Sequence, residues 1–544
     1  MIHRIPTTLA SAAVILLAAA MLAAPATLRG QGGGHAHPAS AEPAPRLGEI
    51  AFPTSASPAA HAAFVRGVLL LHNFHYGPAA AAFREAQQIE PGDVMSYWGE
   101  ALTYTHPVWN EQDTAAARAV LARLAPTREA RLAKARTPRE RAWLETVEIL
   151  YGGDTPKAAR DTAYSAALAR LHADQPGDVE AASFYALSLL GLNQGDRDVP
   201  TYQRAYALAD SLFRAHPRHP GAAHYLIHAV DDPEHAPLGL PAARAYSGIA
   251  PSAGHALHMT SHIFVAMGMW DDVVRANEES LASSKRAVGH SAQWLVYGLL
   301  QQGRRREAVR WLDSMAVEAA SPAPRVRSDS RYHLAVTVPA YVADTRQGDT
   351  PVLRLMGDTM TARGLWPAYP DVGRALAAIE RGDRVAADSF VARLARFRAE
   401  NAGLRASTLG LVEVMEKTLR AMLLRDAGER ERAVALLRDA AAQEAALPMD
   451  FGPPATIKPP REVAGEVLLA MGRPAEARTE LNLALARTPG RGAVLLALAR
   501  TEKALGNRDA AARHYAHLAA NWHRADADWP HLAEARAGAA GARP

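Results

Sequence analysis

Histidines recur one helical turn apart in two stretches of this 544-residue chain. Side chains three or four residues apart lie on the same face of a helix. Imidazole nitrogens in that arrangement can bind a transition-metal ion, and zinc, copper and nickel all suit this ligand type. A carboxylate nearby can bind the ion or orient an imidazole. The residues are His224 and His228, with Asp231 after them, and then His255, His258 and His262.

The two stretches share the register of a repeat. Pro217 and Pro251, which close the preceding units, are 251 − 217 = 34 residues apart, and 34 residues is the period of a two-helix repeat. In this register positions 4, 7, 8 and 11 of each first helix form the core. Positions 2, 5, 9 and 12 form a second stripe beside it, because successive residues are rotated by about 100°. The histidines and Asp231 all occupy the second stripe.

The same repeat pattern extends along most of the chain. Setting Pro91 as position 32 places Gly67 and Ala86 at small positions and Phe83 at an aromatic position. Pro489 gives a similar match near the C-terminus. The chain therefore resembles a tetratricopeptide-repeat (TPR) protein over nearly all of its mature length. This resemblance implies an all-α fold, a right-handed α-solenoid of helical hairpins, whose concave groove is lined by the second stripe.

Several segments also resemble an uncharacterised group of exported bacterial TPR proteins. That resemblance implies a fold and no activity. The segments are LHNFHYGPAAAAFREAQQIEPGD, SYWGEALTYTHPVWNEQD, HYLIHAVDDPEHA, HALHMTSHIF and FGPPATIKPPRE.

The histidine stripes predict a metal site between neighbouring first helices. Packed helices lie about 8–10 Å apart, so His224 and His228 can meet His258 and His262 around one ion. A network of hydrogen-bonded histidines without an ion is the alternative. The zinc-peptidase signature is absent, because no Glu follows the first His of either i, i+4 pair. The next unit adds further residues to this stripe, namely His290, Gln293 and Tyr297.

A proline-rich connection at residues 448–461 precedes the last repeats. It is either a spacer or a strap laid into the groove, with Phe451 and Lys458 closing a pocket. In the unit that starts at Lys458, Glu462 and Glu466 occupy positions 5 and 9. Their carboxylates are therefore expected to face the same concavity as the histidines.

The N-terminus predicts export. An apolar, alanine-rich run from Leu9 to Ala24 and the small residues around Pro25 are typical of a signal peptide. No later segment reaches transmembrane length, and the chain contains no Cys, so a soluble periplasmic or extracellular protein without disulfides is expected. The predicted organisation is a signal peptide at 1–26, a flexible linker at 27–46, a solenoid at 47–447, the connection at 448–461 and a C-terminal TPR pair at 462–544.

Two classes of function fit these patterns. The first is a binding or scaffold module that holds a protein or peptide partner in its groove, with the histidines as a polar or metal-bearing floor. The alternative is a metal-dependent hydrolase or oxidoreductase that uses the histidine cluster, with Asp231 or Glu462 as general base. The net charge of +4 is small for this length, and no basic stripe indicates nucleic-acid binding. The repeat signal favours the binding module.

Overall fold

The computed structural model describes one compact unit that begins at Arg46. The predicted signal peptide and nearly all of the predicted linker lie outside the described residues. No described helix combines the length and apolar character needed to cross a membrane. The described residues are 45–193, 196–284, 289–356, 367–449 and 451–540.

Most of the described residues are α-helical, as the repeat pattern predicts. Consecutive helices pack against each other as hairpins, and successive hairpins stack. Side-chain caps begin several helices; for example, the Asp93 carboxylate accepts hydrogen bonds from the amides of Met95 and Ser96. The N-terminal helices are α1 (Pro58–His72), α2 (Tyr76–Ile89), α3 (Val94–Leu102), α4 (Thr114–Leu124), α5 (Arg128–Leu132), α6 (Pro138–Tyr151), α7 (Lys157–Asp174), α8 (Val179–Leu190) and α9 (Val199–Ala215).

The central and C-terminal helices continue the same arrangement. The central helices are α10 (Pro220–Ala229), α11 (Ala236–Ile249), α12 (Gly254–Ala266), α13 (Trp270–Ser284), α14 (Gly289–Gln301), α15 (Arg305–Ala319) and α16 (Pro324–Thr345). The C-terminal helices are α17 (Ala368–Glu380), α18 (Arg384–Glu400), α19 (Ala406–Asp426), α20 (Arg430–Ala446), α21 (Pro460–Ala470), α22 (Pro474–Arg487), α23 (Gly492–Ala504), α24 (Arg508–Asn521) and α25 (Leu532–Ala539).

Short irregular elements interrupt the helical hairpins. The strands β1 (Thr105–His106) and β2 (Glu111–Gln112) form an antiparallel pair around a 3-10 turn at Pro107–Trp109. Further 3-10 turns lie at Gly191–Asn193 and Pro351–Met356.

Small residues allow the paired helices to approach each other at the positions that the repeat predicts. A Cβ atom on Gly67 would lie 2.6 Å from the Phe83 ring, and one on Gly465 would lie 2.3 Å from Leu481. Real Cβ atoms do not approach other atoms so closely, so glycine is required at both contacts. The small and large residues that the repeat register predicts are therefore in contact at both ends of the chain, and the TPR-like fold is confirmed.

The C-terminal hairpins contact the central ones, which the repeat pattern does not predict. The Trp270 indole donates to the Gly490 carbonyl at 2.9 Å, and the Trp522 indole donates to the Gln301 carbonyl at 3.1 Å. The amide of Asp526 donates to the carbonyl of a residue in the turn after α14. These contacts join parts of the chain that are about two hundred residues apart.

A buried arginine lies at this junction. Arg491 donates to Glu462 Oε2 at 2.5 Å, to Asp344 Oδ1 at 2.6 Å and to the Tyr297 hydroxyl at 3.1 Å. Its side chain is only 1% exposed. Burial lowers the pKa of Arg491, but the two carboxylates outweigh this effect and raise it well above its ordinary value. The guanidinium is therefore charged, and it pairs with two buried acids that belong to different hairpins.

Candidate metal centre

Six histidines of α10, α12 and α14 form two groups of three. Within each group, one nitrogen of every ring lies within 4.8 Å of the corresponding nitrogens of the other two. The first triad combines two residues of α10 with one at the start of α12. The second triad combines two residues of α12 with one at the start of α14. The first triad is His224, His228 and His255, and the second triad is His258, His262 and His290.

The second triad repeats the first, displaced by one hairpin. His258 follows His224 by 258 − 224 = 34 residues, and His290 follows His255 by 290 − 255 = 35 residues. Each triad takes positions 5 and 9 of one unit and position 2 of the next unit. The sequence predicted a single ion between the position 5 and 9 pairs, whereas the structure distributes these four histidines over two triads. The reason is that position 2 of the next helix lies beside each pair.

In each triad, one acceptor oxygen fixes the orientation of one ring. The acceptor is a backbone carbonyl in the first triad and a side-chain amide oxygen in the second. His224 Nδ1 lies 2.7 Å from the carbonyl oxygen of His72, which can only accept, so Nδ1 donates. His258 Nδ1 lies 2.6 Å from Asn277 Oδ1. The Asn277 amide nitrogen donates to the Val273 carbonyl at 2.8 Å, so its oxygen faces the imidazole and Nδ1 of His258 also donates. Nε2 of both neutral rings therefore carries a lone pair.

Asp231 orients one ring in each triad. Its Oδ2 atom lies 2.9 Å from His262 Nδ1 and 3.5 Å from His228 Nδ1. Its Oδ1 atom accepts a hydrogen bond from Arg197 at 2.6 Å. Burial raises the pKa of Asp231, but Arg197 and the two imidazoles outweigh burial and hold that pKa well below its ordinary value. The carboxylate is therefore ionised, and it leaves Nε2 of both rings free of hydrogen.

The Nε2 atoms of these rings face one another in the interior. His258 Nε2 lies 3.3 Å from His262 Nε2, and His224 Nε2 lies 3.2 Å from His255 Nε2. Nε2 of His228 is buried and has no hydrogen-bond partner among the described residues. In a tetrahedral site with metal–nitrogen bonds of 2.0–2.1 Å, ligand nitrogens lie about 3.3–3.4 Å apart. The observed separations match that spacing, and a cation between the lone pairs of His258 and His262 would satisfy both.

Five of the six triad histidines are neutral at ordinary pH. Burial, reinforced by the neighbouring imidazoles, lowers the pKa of four of them well below the usual value; these are His224, His255, His258 and His290. Burial also lowers the pKa of His262 to about 4, although Asp231 opposes that shift. Metal binding requires neutral imidazole. These rings can therefore bind an ion without first losing a proton.

Aromatic rings enclose the two triads. The Phe74 ring centroid lies 4.2 Å from that of His224, and Phe74 has a φ of 54°, in the left-handed region that bulky residues avoid. Trp294 packs on His262 at 4.3 Å, and Phe451 stacks on the same ring at 5.0 Å. Gly452 has a positive φ, and its missing side chain makes room for Trp294. The connection thus places an aromatic ring against the second triad.

A cavity of about 550 Å³ adjoins the triads. Trp109, Asp231 and Phe451 belong both to its wall and to the surroundings of the triads. Lys458, which the sequence grouped with Phe451 at a pocket, instead donates to Glu462 at 2.6 Å. The cavity therefore reaches the metal-binding region through Asp231 and the aromatic wall.

The other predicted groove residues have separate partners. Gln293 Oε1 accepts from His333 Nδ1 at 2.7 Å, and the Tyr297 hydroxyl accepts from Arg491. Glu462 and Glu466 both accept hydrogen bonds from Lys458. The triad pattern therefore ends after α14, because glutamine and tyrosine occupy positions 5 and 9 of the next unit.

A further polar group lies behind the first triad. Glu180 accepts hydrogen bonds from His72 Nε2 at 2.8 Å and from His219 Nε2 at 3.1 Å. His72 Nδ1 lies 2.8 Å from the Tyr225 hydroxyl, and His219 Nδ1 accepts from the Ala222 amide. Hydrogen bonds thus occupy both ring nitrogens of each histidine. This network positions the His72 carbonyl that orients His224.

Sequence reasoning missed the residues that orient the triads. Arg197, Asn277 and the carbonyl of His72 carry no periodic signal, because each contacts the triads only through the tertiary fold. Phe74 could have been selected from the His-Asn-Phe-His order at residues 72–75, although nothing in that order indicates its backbone conformation.

No family model and no curated protein matches this sequence. Among solved structures, the human IFIT1 dimer with m7Gppp-AAAA is similar over 86% of this chain and 90% of that one, with 13% identity and a TM-score of 0.33. Yeast Tom70 is similar over 89% of this chain and 95% of that one, with 11% identity and a TM-score of 0.28.

Proposed function

We propose that this protein is a metalloprotein that holds two transition-metal ions, one in each triad, inside its TPR-like solenoid. The observation that carries this proposal is the orientation of the imidazoles. His258 and His262 both donate through Nδ1, so their two Nε2 lone pairs face each other at 3.3 Å in a buried environment. Two lone pairs at that distance repel, and a bound cation turns the repulsion into coordination.

The geometry supports a reactive or ligand-binding centre over a purely structural ion. Each triad offers three protein ligands, whereas structural zinc sites in proteins use four. The remaining coordination position is available to water or to a small molecule. The adjoining cavity of about 550 Å³ has the size of a small-molecule site. These features favour a metal-dependent enzyme, either an oxidoreductase or a hydrolase, over the binding module.

A binding role for a protein or peptide partner is the second candidate. The same cavity supports it, because the cavity is partly open and carries arginine side chains beside apolar ones. The four histidines at positions 5 and 9 are at most 3% exposed, so a protein partner would contact the cavity wall and not these rings. The two roles are compatible, since a solenoid offers a large surface.

Metal analysis tests the proposal. The purified protein, stripped with a chelator and dialysed against zinc, copper or nickel, is expected to retain two ions per chain of at least one of these metals. His228→Ala and His258→Ala each remove one ligand from one triad, so each variant should lose one ion. His523→Ala, which alters a half-exposed histidine distant in sequence, should retain both. Failure of the wild-type protein to retain any ion would refute the proposal.

Asp231→Asn is expected to weaken binding at both triads by about 10–100-fold, the usual effect of removing a carboxylate that orients a ligating histidine. Both triads respond because Asp231 contacts one ring in each. Competition with a chromophoric chelator measures the two affinities. Asp426→Asn, which alters an exposed carboxylate paired with Arg425, is the matched control. A loss confined to one triad would contradict the shared role of Asp231.

A further inference from the structure

We propose that the two triads hold a pair of copper ions that together bind one molecule of dioxygen. This pair rests on the proposed function, because an ion must occupy each triad. The metal, the coupling between the two ions and the chemical identity of the small ligand are additional to that function.

Rings of the two triads contact each other. The ring centroids of His228 and His262 are 5.4 Å apart, and those of His255 and His258 are 6.3 Å apart. Paired metal ions in proteins lie about 3.5–4 Å apart. Such a pair requires that ligands of one ion contact ligands of the other, and both ring contacts meet this requirement.

The one-repeat displacement explains why two similar ion sites lie side by side. One of the two ring contacts lies within a single helix, α12: His255 belongs to the first triad, and His258 follows it by 258 − 255 = 3 residues and belongs to the second. Residues at this spacing are neighbours on a helix face. A single rigid helix therefore holds the two triads at a fixed separation.

The donor set favours copper. All six side chains are imidazoles, and no carboxylate or thiolate belongs to either triad. Asp231, the carboxylate that orients one ring in each triad, is paired with Arg197 at 2.6 Å. Neutral nitrogen donors suit the singly charged Cu(I) ion, and imidazole sites bind Cu(II) most tightly among the first-row divalent ions. The same ligands thus accept both oxidation states of copper.

The vacant coordination positions of two neighbouring ions can accept the two ends of a diatomic molecule. Each Cu(I) ion gives one electron, so two Cu(I) and one O₂ yield two Cu(II) and one bound O₂²⁻, and no proton is needed. His255 and His290 are the partly exposed members of the triads, and the cavity of about 550 Å³ borders Asp231. Dioxygen would approach the pair from the side of these two rings.

To test this proposal, the purified full chain is loaded with Cu(I) under nitrogen and unbound copper is removed. Dissolved oxygen is then admitted. We expect two copper ions per chain and the uptake of one O₂ for every two ions. The oxidised pair should give no Cu(II) signal in electron paramagnetic resonance, because the two unpaired spins couple, and it should absorb strongly in the near ultraviolet.

Two ligand variants test whether oxygen uptake requires both copper ions. His224→Gln and His258→Gln should each leave one ion, abolish oxygen uptake and show the resonance signal of one isolated Cu(II). Circular dichroism establishes that each variant is folded, and His523→Ala should behave as wild type. Two bound copper ions that take up no oxygen, or that give the full signal of two isolated Cu(II) ions, would overturn the proposal. Retention of zinc or nickel but not copper would overturn the copper pair and leave the proposed function intact, whereas retention of no metal would refute both.

Discussion

Occupation of the triads by metal is expected to raise the free energy of unfolding by about 4 kcal/mol per site at a free ion concentration of 1,000 times Kd. The physical reason is that the folded chain brings three imidazoles together at each site, while the unfolded chain does not. Urea unfolding of the metal-loaded protein and of the chelator-stripped protein measures the difference. The chain contains no Cys, so the chelator changes no thiolate–metal contact in either state.

Variants of single triads provide the control for this effect. His228→Ala and His258→Ala should each retain about half of the metal-dependent stabilisation, because each leaves the other triad complete. The double variant should unfold at the same urea concentration with and without metal. If the stripped and loaded wild-type proteins unfold at the same midpoint, neither triad binds an ion in the folded state.

Arg491→Ala is expected to lower the free energy of unfolding by about 3–5 kcal/mol, the usual cost of breaking a buried ion pair by removing one partner. The substitution leaves the buried carboxylates of Glu462 and Asp344 without their shared cation. Lys458 still pairs with Glu462, so Asp344 carries the larger penalty. Urea unfolding followed by circular dichroism measures the loss.

A surface arginine is the matched comparison. Arg432 pairs with Glu429 on an exposed part of the chain, so Arg432→Ala should change the free energy of unfolding by less than about 1 kcal/mol. Tryptophan fluorescence gives a second measurement, since Trp270 and Trp522 lie at the contact between the C-terminal and central hairpins. Equal effects of the two substitutions would show that Arg491 is not a structural link between these hairpins.

The contacts between the strap and the triads illustrate a partial success of sequence reasoning. One of the two interpretations of the connection at residues 448–461 was a strap that carries Phe451 into the groove. In the structure, the ring centroids of Phe451 and His262 are 5.0 Å apart and the rings are stacked. Lys458 was paired with Phe451 in that hypothesis, but it contacts Glu462 and Glu466. Proline spacing shows that a segment is extended, but the partner of each side chain depends on the hairpins that it crosses.

The sequence by itself determined the helical repeat and the stripe on which the histidines lie. These properties are periodic and local: glycine at position 8 faces a large side chain at position 24, and histidines one turn apart share a helix face. The fold class, the register and the grouping of histidines near one another follow from that periodicity.

Only the tertiary structure decided how the histidines are divided and which of their nitrogens are free. The division into triads depends on the offset between stacked hairpins, which places His255 and His290 beside the preceding pairs. The free nitrogens depend on acceptors from distant parts of the chain, including the His72 carbonyl, 224 − 72 = 152 residues before His224. Such contacts arise from the packing of whole helices, so no local spacing encodes them.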